Sequence, residues 1–160
     1  ITGIDLIAAM LAVARRRAGD ARIAFEQGDL TRTGRPDEHI DIVTVGYGLR
    51  NAPDLAAALD EIARVLKPGG RLAVLEFSRP DAMAFAFCEL AVLGLWTRLW
   101  GILRWGHADT YGYIAESLAS FPSRGELHAA LRARGLSIVA ARRGFFGIIE
   151  TLLAVKEPQS

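Results

Sequence analysis

The sequence predicts an α/β fold, in which parallel strands alternate with helices and form an open sheet. The main observation is a strand, a helix and a second strand that follow one another between residues 40 and 80. A further observation is that a carboxylate, Asp5 or Asp29, follows each of two earlier strands. Ligands of open α/β sheets bind beyond the carboxyl ends of the strands. We therefore expect a site at residues 46–51 and 76–79.

The unit from residue 40 to residue 80 has a clear boundary at each element. Residues 42–45 are an apolar run that predicts a short buried strand. Apolar residues then recur every three or four positions after Asp54, which suits the N-cap of a helix. Residues 67–70, Lys-Pro-Gly-Gly, predict a turn, and residues 72–77 the next parallel strand. This is one βαβ unit of a nucleotide-binding sheet.

Two elements precede this unit. Residues 1–5 have the pattern of the end of a strand, residues 6–18 that of a helix, and residues 23–26 that of a second strand. A polar connection, residues 31–39, follows. We find no glycine-rich first turn of the kind that a nucleoside site normally needs. We therefore expect the chain to be N-terminally incomplete, with a first strand and its glycine-rich loop missing.

The C-terminal third predicts two helices and two closing strands. The helices are expected at residues 109–121 and 124–134, with Gly135 ending the second one. The strands are expected at residues 136–142 and 148–155. The chain is thus predicted to be a single domain, residues 1–160.

Residues 83–105 form a long apolar and aromatic segment. Three charges and two glycines make this segment a poor membrane span. We expect helices that pack on the sheet and line an apolar substrate pocket, within a substrate-covering insertion at residues 81–121. Contact with a membrane surface through residues 83–105 is compatible with that arrangement.

Composition and charge limit the class of protein. The 160 residues are half hydrophobic, which suits one domain with a substantial core. The formal net charge is +1, so no nucleic-acid partner is expected. The single cysteine, Cys88, cannot form an internal disulfide, and this fits a reducing cytoplasm.

Asp5 and Asp29 occupy equivalent positions, each just beyond the end of a strand. A carboxylate there can accept hydrogen bonds from ribose hydroxyls or from an exocyclic amine. The alternative for Asp5 is the N-cap of the helix that follows it. Both interpretations stay open for Asp5, and the pair together favours a nucleoside ligand.

The chain resembles a class I S-adenosylmethionine-dependent methyltransferase, and more narrowly the C-methyltransferases of ubiquinone and menaquinone biosynthesis. The resemblance covers nearly the whole chain. The motifs that carry it are Gly3-Ile4-Asp5, Gln27-Gly28-Asp29, Gly48-Leu49-Arg50-Asn51, residues 64–72, Leu75-Glu76-Phe77-Ser78-Arg79-Pro80, residues 109–117 and Phe121-Pro122.

The resemblance implies a Rossmann-like methyltransferase sheet that is mostly parallel with an antiparallel last strand. It implies S-adenosylmethionine as cofactor, with Asp5 on the ribose and Asp29 and the backbone of Leu30 on the adenine. Gly46 would lie beside the amino-acid part of the cofactor, at a position where many members of the family have serine. It also implies a lipid-like quinol substrate.

The implied reaction moves a methyl group from a sulfonium to a ring carbon of a polyprenylated hydroquinone or naphthoquinol. Carbon is a poor nucleophile, and removal of a phenolic proton makes it a better one. Arg50 would stabilise the phenolate or orient a water, although a salt bridge that fixes its loop is the structural alternative. Asp109 and Tyr113 are the other catalytic candidates, and His107 is a further possible proton acceptor. No metal is required.

Other functions remain open on the sequence alone. They are a methyltransferase for another small apolar molecule, a nicotinamide-dependent oxidoreductase, and a non-catalytic truncated fragment. Association into a homo-oligomer is also left open.

Overall fold

We analysed a computed structural model of the chain. It describes residues 1–19, 22–79, 95, 103, 117, 118, 120–144 and 147–158. The elements in chain order are β1 (Thr2–Asp5), α1 (Ala8–Ala18), β2 (Ala24–Gln27), β3 (Ile40–Gly46), a 3₁₀ turn (Leu49–Asn51), α2 (Leu55–Val65), β4 (Leu66–Phe77), α3 (Arg124–Arg132), β5 (Leu136–Gly144) and β6 (Ile149–Lys156).

The described strands form two sheets, and in the larger one a single strand runs against the others. Four strands pair in the order β3-β4-β6-β5, and β1 pairs in parallel with β2. β3 is parallel to β4, whereas β6 is antiparallel to both β4 and β5. β3, β4 and β5 therefore share one direction, and β6 is reversed. This confirms the predicted mostly parallel sheet with an antiparallel last strand.

Helix α2 confirms the predicted βαβ unit. Asp54 caps it, accepting a hydrogen bond from the backbone N–H of Ala57 at 3.0 Å. Its apolar positions bury Leu59, Ile62 and Val65 against the sheet. The apolar residues that recur every three or four positions thus form the face of α2 that packs against the sheet, because such residues lie on one side of a helix.

The core lies on one face of the four-stranded sheet. Leu72 and Val74 of β4 are opposite Ala154 and Leu152 of β6, and all four are buried. Helices α2 and α3 contribute the facing residues, including Leu131. Alternate residues of a strand point to the same face, so Glu76 continues the buried row of Leu72 and Val74 to the carboxyl end of β4. The row ends in a charge instead of an apolar side chain.

The Lys67-Pro68-Gly69-Gly70 turn interrupts the pairing of β4 with β3. Ile40 pairs with Leu66, and the next pair is Ile42 with Arg71, so residues 67–70 bulge out of the ladder. Gly69 has φ +78, a left-handed conformation that favours glycine. A Cβ on Gly70 would lie 2.7 Å from the carbonyl oxygen of Lys67. Both glycines are therefore required by backbone geometry.

Helix α3 begins with a capping box. The Ser123 hydroxyl accepts from the N–H of Glu126, and the Glu126 carboxylate accepts from the N–H of Ser123. Gly135, at φ +71, follows the end of this helix, as predicted.

Part of the predicted substrate-covering insertion lies outside the described residues, including Asp109 and Tyr113. Leu95 and Leu103, whose structure is described, are helical and are 62% and 78% exposed. Within the described part of the chain, no helix is both long enough and apolar enough to cross a membrane.

Candidate active site

The carboxyl ends of β1 and β2 bring Asp5 and Asp29 to one edge of their sheet. The strands are parallel, with Asp5 in register with Gln27, and the N–H of Gly28 donates to the carbonyl oxygen of Asp5 at 3.2 Å. Two carboxylates that are far apart in sequence are therefore neighbours at the strand ends, as predicted.

Asp5 does not cap helix α1. The N-cap is Ile7, which makes no side-chain cap, and the helix begins at Ala8 instead of Leu6. The Asp5 carboxylate Oδ1 accepts from the N–H of Ile7 at 2.8 Å and so orders the turn between strand and helix. The N-cap alternative for Asp5 is thus wrong, because the helix starts two residues too late for it.

Asp29 holds the turn that follows β2. Its Oδ1 accepts from the N–H of Thr31 at 2.8 Å, and hydrogen bonds from Thr31 lower the pKa of the Asp29 carboxyl below its usual value. Leu30 packs against the main core. Asp29 is therefore an ionised acceptor on a turn anchored by Leu30.

Glu61 of α2 fixes the connection beyond this turn. Its Oε1 accepts from both the backbone N–H and the hydroxyl of Thr33, at 2.7 Å and 2.6 Å. The Arg64 guanidinium donates to both carboxylate oxygens at 2.8 Å and also pairs with Asp37. Sequence reasoning missed Glu61 and gave it no role.

The turn from Gly46 to Asn51 follows β3. Tyr47 has φ +54, which is unusual for a residue with a side chain and is often found at functional sites. The N–H of Tyr47 donates to Leu75 at 2.8 Å, and the Asn51 amide donates to the Tyr47 carbonyl oxygen at 3.1 Å. Asn51 therefore orders the turn.

Arg50 and Glu76 form a buried ion pair behind this turn. Arg50 Nε lies 3.1 Å from Glu76 Oε1, and the two side chains are only 4% and 2% exposed. Arg50 NH1 also donates to the Ser117 hydroxyl at 2.9 Å, and the guanidinium carbon lies 4.9 Å from the centre of the Phe77 ring. The salt bridge considered as the alternative for Arg50 is present. Sequence reasoning marked residues 76–79 as part of a site but gave Glu76 no role.

Burial raises the pKa of the Glu76 carboxyl above its usual value, while the N–H groups of Phe77 and Arg50 and the charge of Arg50 oppose that rise. A carboxylate removed from water depends on such partners. Arg50 is therefore part of the reason why a charge is tolerated at the end of β4.

The residues present fit the cofactor that the resemblance implies. Ribose hydroxyls and the adenine amine are donors, and the carboxylates at the strand ends are acceptors. A Cβ built on Gly46 meets no atom of the described residues within 4 Å, so the described part of the chain leaves open space beside the end of β3. No group of three or more potential metal ligands occurs among the described residues.

We expect Gly46→Ser to fold normally. Because the space at Gly46 is open, the free energy of unfolding should change by no more than about 0.5 kcal/mol. The added hydroxyl should strengthen binding of S-adenosylmethionine in isothermal titration calorimetry. Gly70→Ser is the matched control, because its Cβ would clash with Lys67 and should lower the unfolding temperature. Equal destabilisation by both substitutions would contradict the open-space interpretation.

Comparisons with known proteins agree with this architecture. The model of the ubiE/COQ5 methyltransferase family matches residues 1–156. A ubiquinone/menaquinone biosynthesis C-methyltransferase, UbiE, of Azotobacter vinelandii is 37% identical, covering 91% of this chain and 59% of that protein. A demethylmenaquinone methyltransferase of Mycobacterium sp. (strain KMS) is 38% identical, covering 99% of this chain and 69% of that protein. The chain thus spans roughly three fifths to two thirds of these relatives.

Solved structures show the same fold at low sequence identity. An S-adenosylmethionine-dependent methyltransferase from Methanosarcina mazei superposes with a TM-score of 0.68 at 18% identity, covering 99% of this chain and 82% of that one. A second S-adenosylmethionine-dependent methyltransferase, from Mesorhizobium loti, superposes with a TM-score of 0.63 at 20% identity, covering 96% of this chain and 79% of that one. The fold, the strand-end site and the match to the family model lead to one conclusion: this chain belongs to the ubiE/COQ5 methyltransferase family.

Proposed function

We propose that the protein methylates a ring carbon of a polyprenylated hydroquinone or naphthoquinol, with S-adenosylmethionine as methyl donor. The observation that carries the proposal is the guanidinium of Arg50, a residue of the Gly46–Asn51 turn, which Glu76 holds at the carboxyl end of β4. Family membership and the names of the relatives support the reaction type and the quinol substrate.

The proposed roles follow from the chemistry of each group. S-adenosylmethionine, when bound, supplies an electrophilic methyl group on a sulfonium. Asp5 would hold the ribose, and Asp29 with the backbone of Leu30 the adenine, because these are the acceptors and backbone groups at the ends of β1 and β2. Gly46 would leave room for the amino-acid part, since none of the residues that the structure describes occupies the space beside it.

Arg50 would favour the ionised form of the ring hydroxyl. A fixed positive charge lowers the free energy of a developing phenolate, and a fixed group needs no reorganisation during the reaction. The guanidinium is held by Glu76, Ser117 and the Phe77 ring, so its position is set before a substrate arrives. Asp109 or His107 would accept the proton, and Tyr113 is the other catalytic candidate; all three belong to the proposed substrate-covering insertion, residues 81–121.

We also propose a cytoplasmic location with peripheral contact at the membrane. A polyprenylated substrate resides in lipid, and the exposed apolar side chains of Leu95 and Leu103 lie in the segment expected to make that contact.

The decisive experiment follows transfer of a labelled methyl group to a prenylated demethylnaphthoquinol and to simple phenols. We expect the prenylated quinol to be methylated on carbon. Asp5→Asn should raise the KM for S-adenosylmethionine about tenfold or more, because a charged hydrogen bond contributes about 1.5–3 kcal/mol. Asp41→Asn removes the same charge from the start of β3, where Asp41 pairs with Lys67, and should leave that KM unchanged.

Three outcomes would contradict the proposal. Preferred methylation of simple phenols would favour the alternative of another small apolar substrate. Binding of a nicotinamide cofactor in place of S-adenosylmethionine would favour an oxidoreductase. Equal effects of Asp5→Asn and Asp41→Asn would remove Asp5 from the cofactor site.

A further inference from the structure

Glu76 receives hydrogen bonds on both of its carboxylate oxygens. Oε2 accepts from the backbone N–H groups of Leu49 and Arg50, at 3.1 Å and 3.4 Å. Oε1 accepts from Arg50 Nε at 3.1 Å and from the N–H of Phe77 at 3.0 Å. Leu49 and Arg50 precede Glu76 in the sequence by 27 and 26 residues, and Phe77 directly follows it. One side chain therefore connects the turn after β3 to the end of β4.

The carboxylate acts as the cap of the 3₁₀ turn at Leu49–Asn51. The N-cap residue of this turn, Gly48, has no side chain to accept from the free N–H groups. Helical N-termini favour negative charge, because their unpaired N–H groups carry partial positive charge. Glu76 supplies that charge from a neighbouring strand and so fixes the backbone that begins at Gly46 and includes the left-handed Tyr47.

The same carboxylate fixes the Arg50 side chain. An arginine has several rotatable bonds, and its guanidinium is useful to a reaction only if it stays in one place. Glu76 holds Nε on one side, while the Phe77 ring and the Ser117 hydroxyl contact the guanidinium elsewhere. Glu76 thus contacts both the backbone and the side chain of Arg50.

We propose that Glu76 is the positioning residue of the active site, which holds Arg50 and the Gly46–Asn51 turn in the geometry required for methyl transfer. The proposal rests on the proposed function for its kinetic effect. Glu76 touches neither Asp5 nor Asp29 in any described contact, so it should act on the transfer step and not on binding of the nucleoside part of the cofactor.

Glu76→Gln is the sharpest substitution. The amide has nearly the shape of the carboxylate but only one acceptor oxygen. Each oxygen of Glu76 accepts from two N–H groups. In either orientation, the NH₂ group of glutamine would therefore face two donors and could not accept from them. We expect kcat to fall about 10- to 100-fold, since small displacements of a catalytic group have effects of this size. The Kd for adenosine, which lacks the amino-acid part that would lie beside Gly46, should stay within about twofold.

Glu150→Gln is the matched control. Glu150 lies directly opposite Glu76 on β6 and is 6% exposed. It also has two partly buried partners, Arg124 Nε at 3.5 Å and His128 Nε2 at 3.2 Å. It makes no described contact with residues 46–51. We expect Glu150→Gln to lower the unfolding temperature but to keep kcat within about twofold, measured where both variants remain folded. A fall in kcat of the same size in both variants would overturn the positioning role.

Amide hydrogen exchange separates this proposal from the proposed function. The Leu49 and Arg50 amides should exchange faster in Glu76→Gln than in Glu150→Gln or in the unsubstituted protein. Faster exchange in a protein that methylates no quinol would support the positioning role and overturn the proposed function. Unchanged exchange and unchanged kcat in Glu76→Gln, with an active unsubstituted protein, would overturn the positioning role alone. Glu76→Asp, which retains both acceptor oxygens on a shorter stem, should recover part of kcat.

Discussion

Arg50→Met should lower the free energy of unfolding by about 3–5 kcal/mol, which is the usual effect of removing one partner from a buried ion pair. The substitution leaves the Glu76 carboxylate buried at the end of β4 without its charged partner. Burial already raises the pKa of Glu76, and loss of Arg50 removes one of the interactions that oppose that rise. Urea unfolding at neutral pH measures the effect.

The pH dependence of this variant has a definite sign. A carboxyl whose pKa is higher in the folded than in the unfolded protein disfavours folding once it ionises. The stability of Arg50→Met should therefore fall as the pH rises above the ordinary glutamate value near 4.5. Adding Glu76→Gln should recover part of the loss at neutral pH, because no charge then remains buried and one acceptor oxygen is kept.

Arg142→Met provides the control for Arg50→Met. Arg142 is exposed on β5, so its replacement should change the free energy of unfolding by no more than about 0.5 kcal/mol. Equal effects of the two substitutions would show that the buried pair has no special stability role.

Glu61→Gln should remove about 3 kcal/mol of stability at neutral pH. Hydrogen bonds from Arg64, and then those from Thr33, lower the pKa of the Glu61 carboxyl from 4.5 to about 2 despite its burial. Lowering the pKa from 4.5 to about 2 corresponds to about 3.5 kcal/mol, and glutamine, which keeps one acceptor oxygen, retains a small part of it. Because the pKa is lowered on folding, this stability is present above pH 4.5 and is lost as the pH falls toward 2.

Urea unfolding at pH 7 and at pH 3.5 tests this dependence. The difference between the unsubstituted protein and Glu61→Gln should shrink by about 1 kcal/mol at the lower pH, where the unfolded carboxyl is protonated. Asp60→Asn is the control on the same helix. Asp60 is an exposed partner of Arg134, and such pairs contribute about 0–1 kcal/mol. A pH-independent difference for Glu61→Gln would contradict the proposed role of its charge.

Much of the fold follows from local patterns in the sequence. Apolar spacing predicted helix α2, Asp54 its cap, and Gly135 the end of α3, because these signals depend on neighbouring residues alone. The positions of Asp5 and Asp29 followed from a general property of parallel strands, which end on a common edge. Most element boundaries differed by one or two residues, as at the start of α1, where the Asp5 carboxylate orders a turn instead of capping the helix. The exception is β4, which begins at Leu66, six residues before the predicted start at residue 72.

Only the tertiary structure shows which side chains contact Arg50. Arg50 and Glu76 are 26 residues apart, and Arg50 and Ser117 are 67 apart, so no local pattern pairs them. The sequence by itself determined that β3, α2 and β4 would bring a turn and a strand end together at a site. It could not determine that a buried carboxylate would hold that turn. Burial of Glu76 at the end of β4 depends on distant parts of the chain, namely the neighbouring strand β6 and the core residues Leu118 and Phe121.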